Sequence, residues 1–155
     1  MNMKNILSLL ILFCLNANAQ EKPYPRQKES EAWITKLKTI TSKTKRIELI
    51  KDKIYSDTLY ENYKKRIILD GPRGAEKICK TVLVIIFENK EYKLDLLENP
   101  KLNKIMEFIN DKNINQVEII EDPMITFAYY GDDALCGVVT MYCNKKLERK
   151  LRNVL

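Results

Sequence analysis

Five carboxylates fall close together in the last third of this 155-residue chain: Glu118, Glu121 and Asp122, then Asp132 and Asp133. Paired carboxylates can share acid and base work, and a cluster of them can hold calcium through its oxygens. Each also has a plainer structural reading. Glu118 sits among apolar neighbours as the outward residue of a half-buried strand, Asp122-Pro123 is turn chemistry, and Asp132-Asp133 follows Gly131 in a loop. These roles make the structural reading the stronger, and separately the chain has no histidine. That removes Ser–His and Cys–His nucleophile pairs, His-ligated zinc and the commonest general base. Gly71 and Gly74 lack the continuation of a phosphate-cradling loop. The expectation is therefore no catalytic residue, no metal and no cofactor, with a small periplasmic enzyme working through carboxylates as the alternative.

The compartment follows from the first residues. Lys4 supplies a positive start, Ile6 to Leu15 is an apolar run of signal-peptide length, and Ala17-Asn18-Ala19 is a small-x-small cleavage site. A membrane anchor fits less well, since about 20 apolar residues are needed to span a bilayer and this run is broken by Asn16 and Asn18. A lipid anchor on Cys14 is disfavoured by the bulky Phe13 before it. Cleavage after Ala19 would leave Gln20 first and no transmembrane segment in the mature, periplasmic or secreted chain. The formal charge drops from +6 to +5, since only Lys4 is lost. The remaining basic residues interleave with Glu48 and Asp52 or collect near the end as Lys145, Lys146, Arg149, Lys150 and Arg152. This reads as a solvated surface, and export argues against a nucleic-acid partner.

With Cys14 gone, Cys79, Cys136 and Cys143 remain in an oxidising compartment. Cys136 and Cys143 lie on what reads as one extended strand, roughly 23 Å apart at about 3.3 Å per residue, and disulfide Cα atoms sit within about 7 Å. They should not pair with each other. Cys79 could meet either one, or all three could be small buried apolar residues.

The elements that must position these groups read as follows. Residues 20–28, with Pro23 and Pro25, read as a mobile leader, and residues 29–155 as one domain. Trp33, Leu37 and Ile40 predict an amphipathic helix over Ser30 to Thr41 with Ser30 as N-cap. Lys45 to Arg66 is ambiguous: Ile47, Ile50 and Ile54 suit a helix, Ile47 and Leu49 alternate, and Leu59, Tyr60 and Tyr63 favour a helix begun by Ser56 or Asp57. Asp70-Gly71-Pro72 is a turn. Val82 to Phe87 is a continuous β-branched run expected at the centre of a sheet. Tyr92 and Leu94 suggest a second strand after a turn, and Asn99-Pro100 starts a helix with Leu102, Ile105, Met106 and Ile109 on one face. Val117 to Ile120 and Gly137 to Cys143 are two further strands around a helical turn from Met124 to Tyr130. The expected class is α+β, a small mixed β-sheet with packed helices. Gly131 and Gly137 are expected as conformational requirements of the turn and of the last strand's start. Phe127, Tyr129 and Tyr130 form an aromatic cluster that either docks a partner or caps the core.

Read in order, Val117-Glu118-Ile119-Ile120, Asp122-Pro123, Tyr129-Tyr130-Gly131, Gly137-Val138-Val139 and Lys145-Lys146 resemble the end of the plug domain of TonB-dependent outer-membrane receptors, above all the SusC-like nutrient receptors. There an "IEV" strand leads through a "YG" turn to a "GVV" strand and a lysine. The resemblance spans Thr81 to Lys146. It departs at Glu88-Asn89, where the family has "DG", and at Cys136, where it has a small polar residue. A receptor barrel needs about 22 strands of about 10 residues, more than this chain holds. The resemblance therefore implies an isolated plug-like, non-catalytic interaction module whose partner is an envelope protein: a receptor, a transporter or a membrane peptidase. A regulatory or inhibitory subunit of an envelope protease is the other alternative.

Overall fold

The computed structural model describes residues 25–60 and 79–155. The signal segment, Tyr63, the Asp70-Gly71-Pro72 turn and Gly74 lie outside these residues. Chain order is helix α1 (Gln27–Thr39), helix α2 (Lys43–Ser56), a 3-10 turn (Asp57–Leu59), strands β1 (Val82–Phe87) and β2 (Lys90–Lys93), a 3-10 helix (Pro100–Phe108), strand β3 (Ile114–Ile120), helix α3 (Pro123–Tyr130), a 3-10 turn (Gly131–Ala134), strand β4 (Val138–Cys143) and helix α4 (Lys145–Arg152). Among the described residues no helix is long and apolar enough to cross a membrane.

The fold is α+β on an open mixed sheet of order β2-β1-β4-β3. β1 runs antiparallel to β2 and parallel to β4, and β3 is antiparallel to β4. The three strands expected to share a sheet do so. β1 is central and buried on both faces, which is why its sequence is apolar without alternation. One face carries Leu83, Ile85, Val139, Met141 and Cys143 into the main core. They meet Leu37 of α1, Ile47, Ile50 and Ile54 of α2, Leu102, Ile105 and Met106 of the 3-10 helix, and Leu147 and Leu151 of α4. The other face presents Val82, Val84 and Val138 to Ala134, with Ile86, Ile120 and Tyr130 at its margin.

The N-terminal half differs from its expected bounds. α1 starts at Gln27, inside the stretch expected to be a leader, and follows the extended Arg26. Pro25 is buried, and its carbonyl accepts the Cys79 N–H at 3.0 Å. Ser30 is not the N-cap. It is buried within the helix, and its hydroxyl donates to the Cys79 carbonyl at 3.2 Å. The ambiguous stretch forms a helix as far as Ser56, with Ile47, Ile50 and Ile54 on its buried side and the Ser42 hydroxyl accepting from Lys45 N–H. Leu59 lies in a single 3-10 turn. The segment after Pro100 takes the tighter 3-10 winding, yet it buries the expected Leu102, Ile105, Met106 and, just beyond its end, Ile109.

Cys79 and Cys136 form a disulfide with Cα atoms 5.8 Å apart, leaving Cys143 a free buried thiol. Burial, reinforced by nearby Glu148, pushes the Cys143 thiol up to about 11. The bridge joins the starts of the parallel strands β1 and β4. There the Val82 N–H donates to the Gly137 carbonyl at 3.0 Å and the Thr81 hydroxyl to the Cys136 carbonyl at 3.4 Å. Gly137 has φ +90°, and a Cβ on it would stand 2.7 Å from Ile34 Cδ1 and 3.3 Å from the Ile120 carbonyl oxygen. Gly131 ends α3 at φ 68°, ψ −158°, a region essentially reserved for glycine, with open space where a Cβ would go.

The two glycines should therefore fail differently. Gly131→Ala is expected to lower the unfolding free energy by about 1 kcal/mol through backbone strain alone. Gly137→Ala adds crowding to the same strain and should cost about 2 kcal/mol or more in urea unfolding. Equal losses would contradict the close approach at Gly137.

Candidate functional site

Helix α3 begins where Asp122 turns its carboxylate back to accept the Met124 N–H at 2.9 Å and the Ile125 N–H at 3.3 Å, with Pro123 supplying the first helical φ. Its eight residues, PMITFAYY, are apolar nearly all round, yet only Thr126 is buried. Met124 is 84% exposed, Tyr129 76% and Phe127 54%, with Ile125 and the following Leu135 also in solvent. Burying such a side chain is worth about 1.5–3 kcal/mol, so a helix that leaves four in water forgoes much of what apolar residues usually contribute.

The aromatic cluster divides. Phe127 and Tyr129 point outward. Tyr130 is half-buried against the second face of the sheet, and its hydroxyl donates to Glu91 Oε2 at 3.2 Å. Burial first, and then Glu91, push the Tyr130 hydroxyl up to about 12. The rings of Tyr129 and Tyr130 lie 6.4 Å apart and tilted by 47°. The two alternatives for the cluster thus fall to different residues, core for Tyr130 and exposed surface for Phe127 and Tyr129. Met124, Ile125 and Leu135 extend that surface. A run of apolar residues inside a short helix could have pointed to them, because a single strip cannot bury all sides of a helix.

Three of the five carboxylates each have a separate occupation. Glu118 accepts from the Tyr142 hydroxyl at 3.0 Å and from Gln116 Nε2 at 2.6 Å. Glu121 pairs with Lys38, and Asp122 is the cap of α3. The Asp132 and Asp133 side chains lie outside the described part of the structure. Among the described residues, no group of three or more Cys, Asp or Glu is placed to hold a metal ion.

One buried polar cluster was not anticipated from the sequence. Lys53 Nζ meets Asp57 Oδ1 at 2.7 Å, Lys80 Nζ lies 3.6 Å from Asp57 Oδ2, and Lys80 also reaches Asp95 Oδ2 at 2.9 Å. Lys53 and Asp57, four apart on α2 and its end, were legible as a pair; Lys80 and Asp95 come from loops and gave no signal. Burial pushes the Asp57 carboxyl above its ordinary value despite the attraction of both lysines. Burial also opposes ionisation of Asp95. There Lys80 and the N–H groups of Glu98 and Leu97 outweigh it and hold the carboxyl below its usual value. The Lys53 ammonium lies 5.3 Å from the Tyr60 ring and 6.0 Å from the Trp33 ring. A cleft of about 430 Å³ opens beside it, lined by Glu29, Trp33, Lys53, Ser56, Leu59 and Tyr60. The four charges sum to zero, so the cluster reads as a stitch between the end of α2 and the sheet.

No family model, curated protein or solved structure matches the chain.

The stitch has a pH signature. Stability from Asp95, whose native value is lowered, is present above the ordinary carboxylate range and is lost as pH falls through that lowered value. Asp57 has the opposite sign, because its raised native value makes protonation favour the fold. Lys80→Ala leaves two carboxylates with one lysine and should cost about 3 kcal/mol or more at neutral pH. Urea unfolding of this variant should show the deficit shrinking as pH falls and the carboxyls protonate. A deficit independent of pH would remove the electrostatic account.

Proposed function

We propose that the chain is an exported, non-catalytic plug-like module of the cell envelope that docks an envelope protein through the outward face of α3. The observation that carries this reading is the exposure of Met124, Phe127 and Tyr129 on a helix tied to the fold at both ends. Asp122 caps its start, Gly131 ends it, and Tyr130 and Ala134 anchor its far end to the sheet. Aromatic and methionine side chains are enriched at the centres of protein interfaces, and a backbone already in place lowers the ordering cost of binding.

Three further observations support it. The signal-like start of the chain and the Cys79–Cys136 disulfide both fit a compartment outside the cytoplasm. The pieces on which the plug resemblance rests, "VEII", Tyr130-Gly131 and "GVV", fall on β3, the end of α3 and β4, although a short helix stands where the resemblance implies only a turn. Glu118, Glu121 and Asp122 are each engaged in holding the fold, which weighs against the carboxylate-enzyme reading. Receptor, transporter and membrane peptidase all remain partners of the class proposed, and a protease-regulating subunit would use the same surface.

The test separates surface from core. The double variant Phe127→Ala/Tyr129→Ala should reduce capture of a partner from envelope extract by at least about tenfold with an unchanged thermal melt. Tyr130→Ala should instead lower the melting temperature. Undiminished capture by the double variant would contradict α3 as the docking face.

A further inference from the structure

The two edges of the sheet are built differently. β2 is four residues long and carries Lys90, Glu91 and Lys93, the short charged kind of edge that discourages pairing. β3 is seven residues long, INQVEII, with no lysine or proline and a single charge, Glu118, already bonded to Tyr142 and Gln116.

The ladder fixes which way its backbone points. The Val82 N–H donates to the Gly137 carbonyl and the Leu94 N–H to the Leu83 carbonyl. In the parallel register of β1 with β4, Val139 and Met141 therefore face β1, and Val138, Thr140 and Tyr142 face β3. Those residues lie opposite Ile120, Glu118 and Gln116, whose N–H and C=O groups are thus spent on β4. Val117 and Ile119 turn their N–H and C=O groups outward, and among the described residues no group bonds them. Their side chains pack inward on the main core, so the backbone alone forms the rim. Among the described residues, only the beginning of this edge is closed: Lys43 Nζ donates to the Ile114 carbonyl at 3.0 Å, and the register shifts between Ile114 and Gln116.

We propose that the β3 edge pairs, antiparallel and about a two-fold axis, with the β3 edge of a second copy of this chain. The dimer then carries one continuous eight-stranded sheet. The edge is complementary to itself, since an antiparallel copy offers outward groups at the same spacing. Charge selects the register. A two-fold at Glu118 would oppose two carboxylates directly, which is destabilising. A two-fold at Val117 sets the Gln116 amide of each copy against the Glu118 carboxylate of the other. This interface is separate from the α3 surface and does not depend on it.

The test is sedimentation equilibrium of the exported, oxidised protein between about 1 and 300 μM, the range in which a modest dimer dissociates. A monomer–dimer equilibrium is expected. Val117→Pro removes an outward N–H that no ladder bond uses and should weaken the dimer at least tenfold. Should that variant misfold, amide exchange of the unmodified protein decides: the Val117 and Ile119 amides should be protected at high concentration and exchange freely at low. A monomer throughout the range, or a dimer with no concentration-dependent protection at Val117 and Ile119, overturns the proposal. So does a dimer abolished by Phe127→Ala/Tyr129→Ala. A monomer would leave docking through α3 standing, and a failed partner capture would leave the dimer standing.

Discussion

The parallel pairing of β1 with β4 has to be closed across a long stretch of chain, and the closure is concentrated at one point. Cys79 and Cys136 are joined there across a sequence separation of 57 residues. Around the bridge the Pro25 carbonyl and the Ser30 hydroxyl both engage Cys79, the Thr81 hydroxyl reaches the Cys136 carbonyl, and Gly137 lets Ile34 and Ile120 come close. Parallel strands cannot be joined by a tight turn, so without such a clamp their pairing must overcome the full entropy of closing the loop. α1, the two central strands and the end of β3 all converge on this clamp.

Its consequence reaches the candidate docking surface through a short path. The residues from Gly131 to Cys136 run from the end of α3 to the disulfide, and Ala134, fully buried, pins them to the second face of the sheet. α3 is therefore held at both ends, by the Asp122 cap after β3 and by the clamp before β4. A short helix with so few buried side chains could not keep its place by packing alone. The exposed Met124, Phe127 and Tyr129 stay presented because the backbone on either side of them is fixed.

What was legible in the sequence was local pattern: a run, a turn residue or a spacing. The unbroken apolar run of Val82 to Phe87 and the glycine before Val138 each declared a strand, and the spacing of Leu102, Ile105 and Met106 declared a helical segment and its buried side. What depended on distant partners was not legible. Ser30 has the chemistry of a cap, but Cys79 from the other half of the chain claims its hydroxyl. Tyr129 and Tyr130 look alike as neighbours; a helix turns by about 100° per residue, which sends one to solvent and the other to Glu91. The charges of KKLERKLR masked helix α4, although Asn144 caps it by accepting from Lys146 and Leu147, and Leu147 and Leu151 bury its inner face. Lys80 and Asp95 join the buried stitch from loops that have no pattern to read.

The claim that the clamp organises the sheet and the helix before it is tested most directly by denaturant unfolding of Cys79→Ser/Cys136→Ser against the oxidised protein, with amide exchange followed in both. For a closed loop of this length the double variant should lose about 4 kcal/mol. Its excess exchange should be greatest at the starts of β1 and β4 and along α3. An unchanged unfolding free energy, or a loss spread evenly over the chain with α3 as protected as before, would contradict the account.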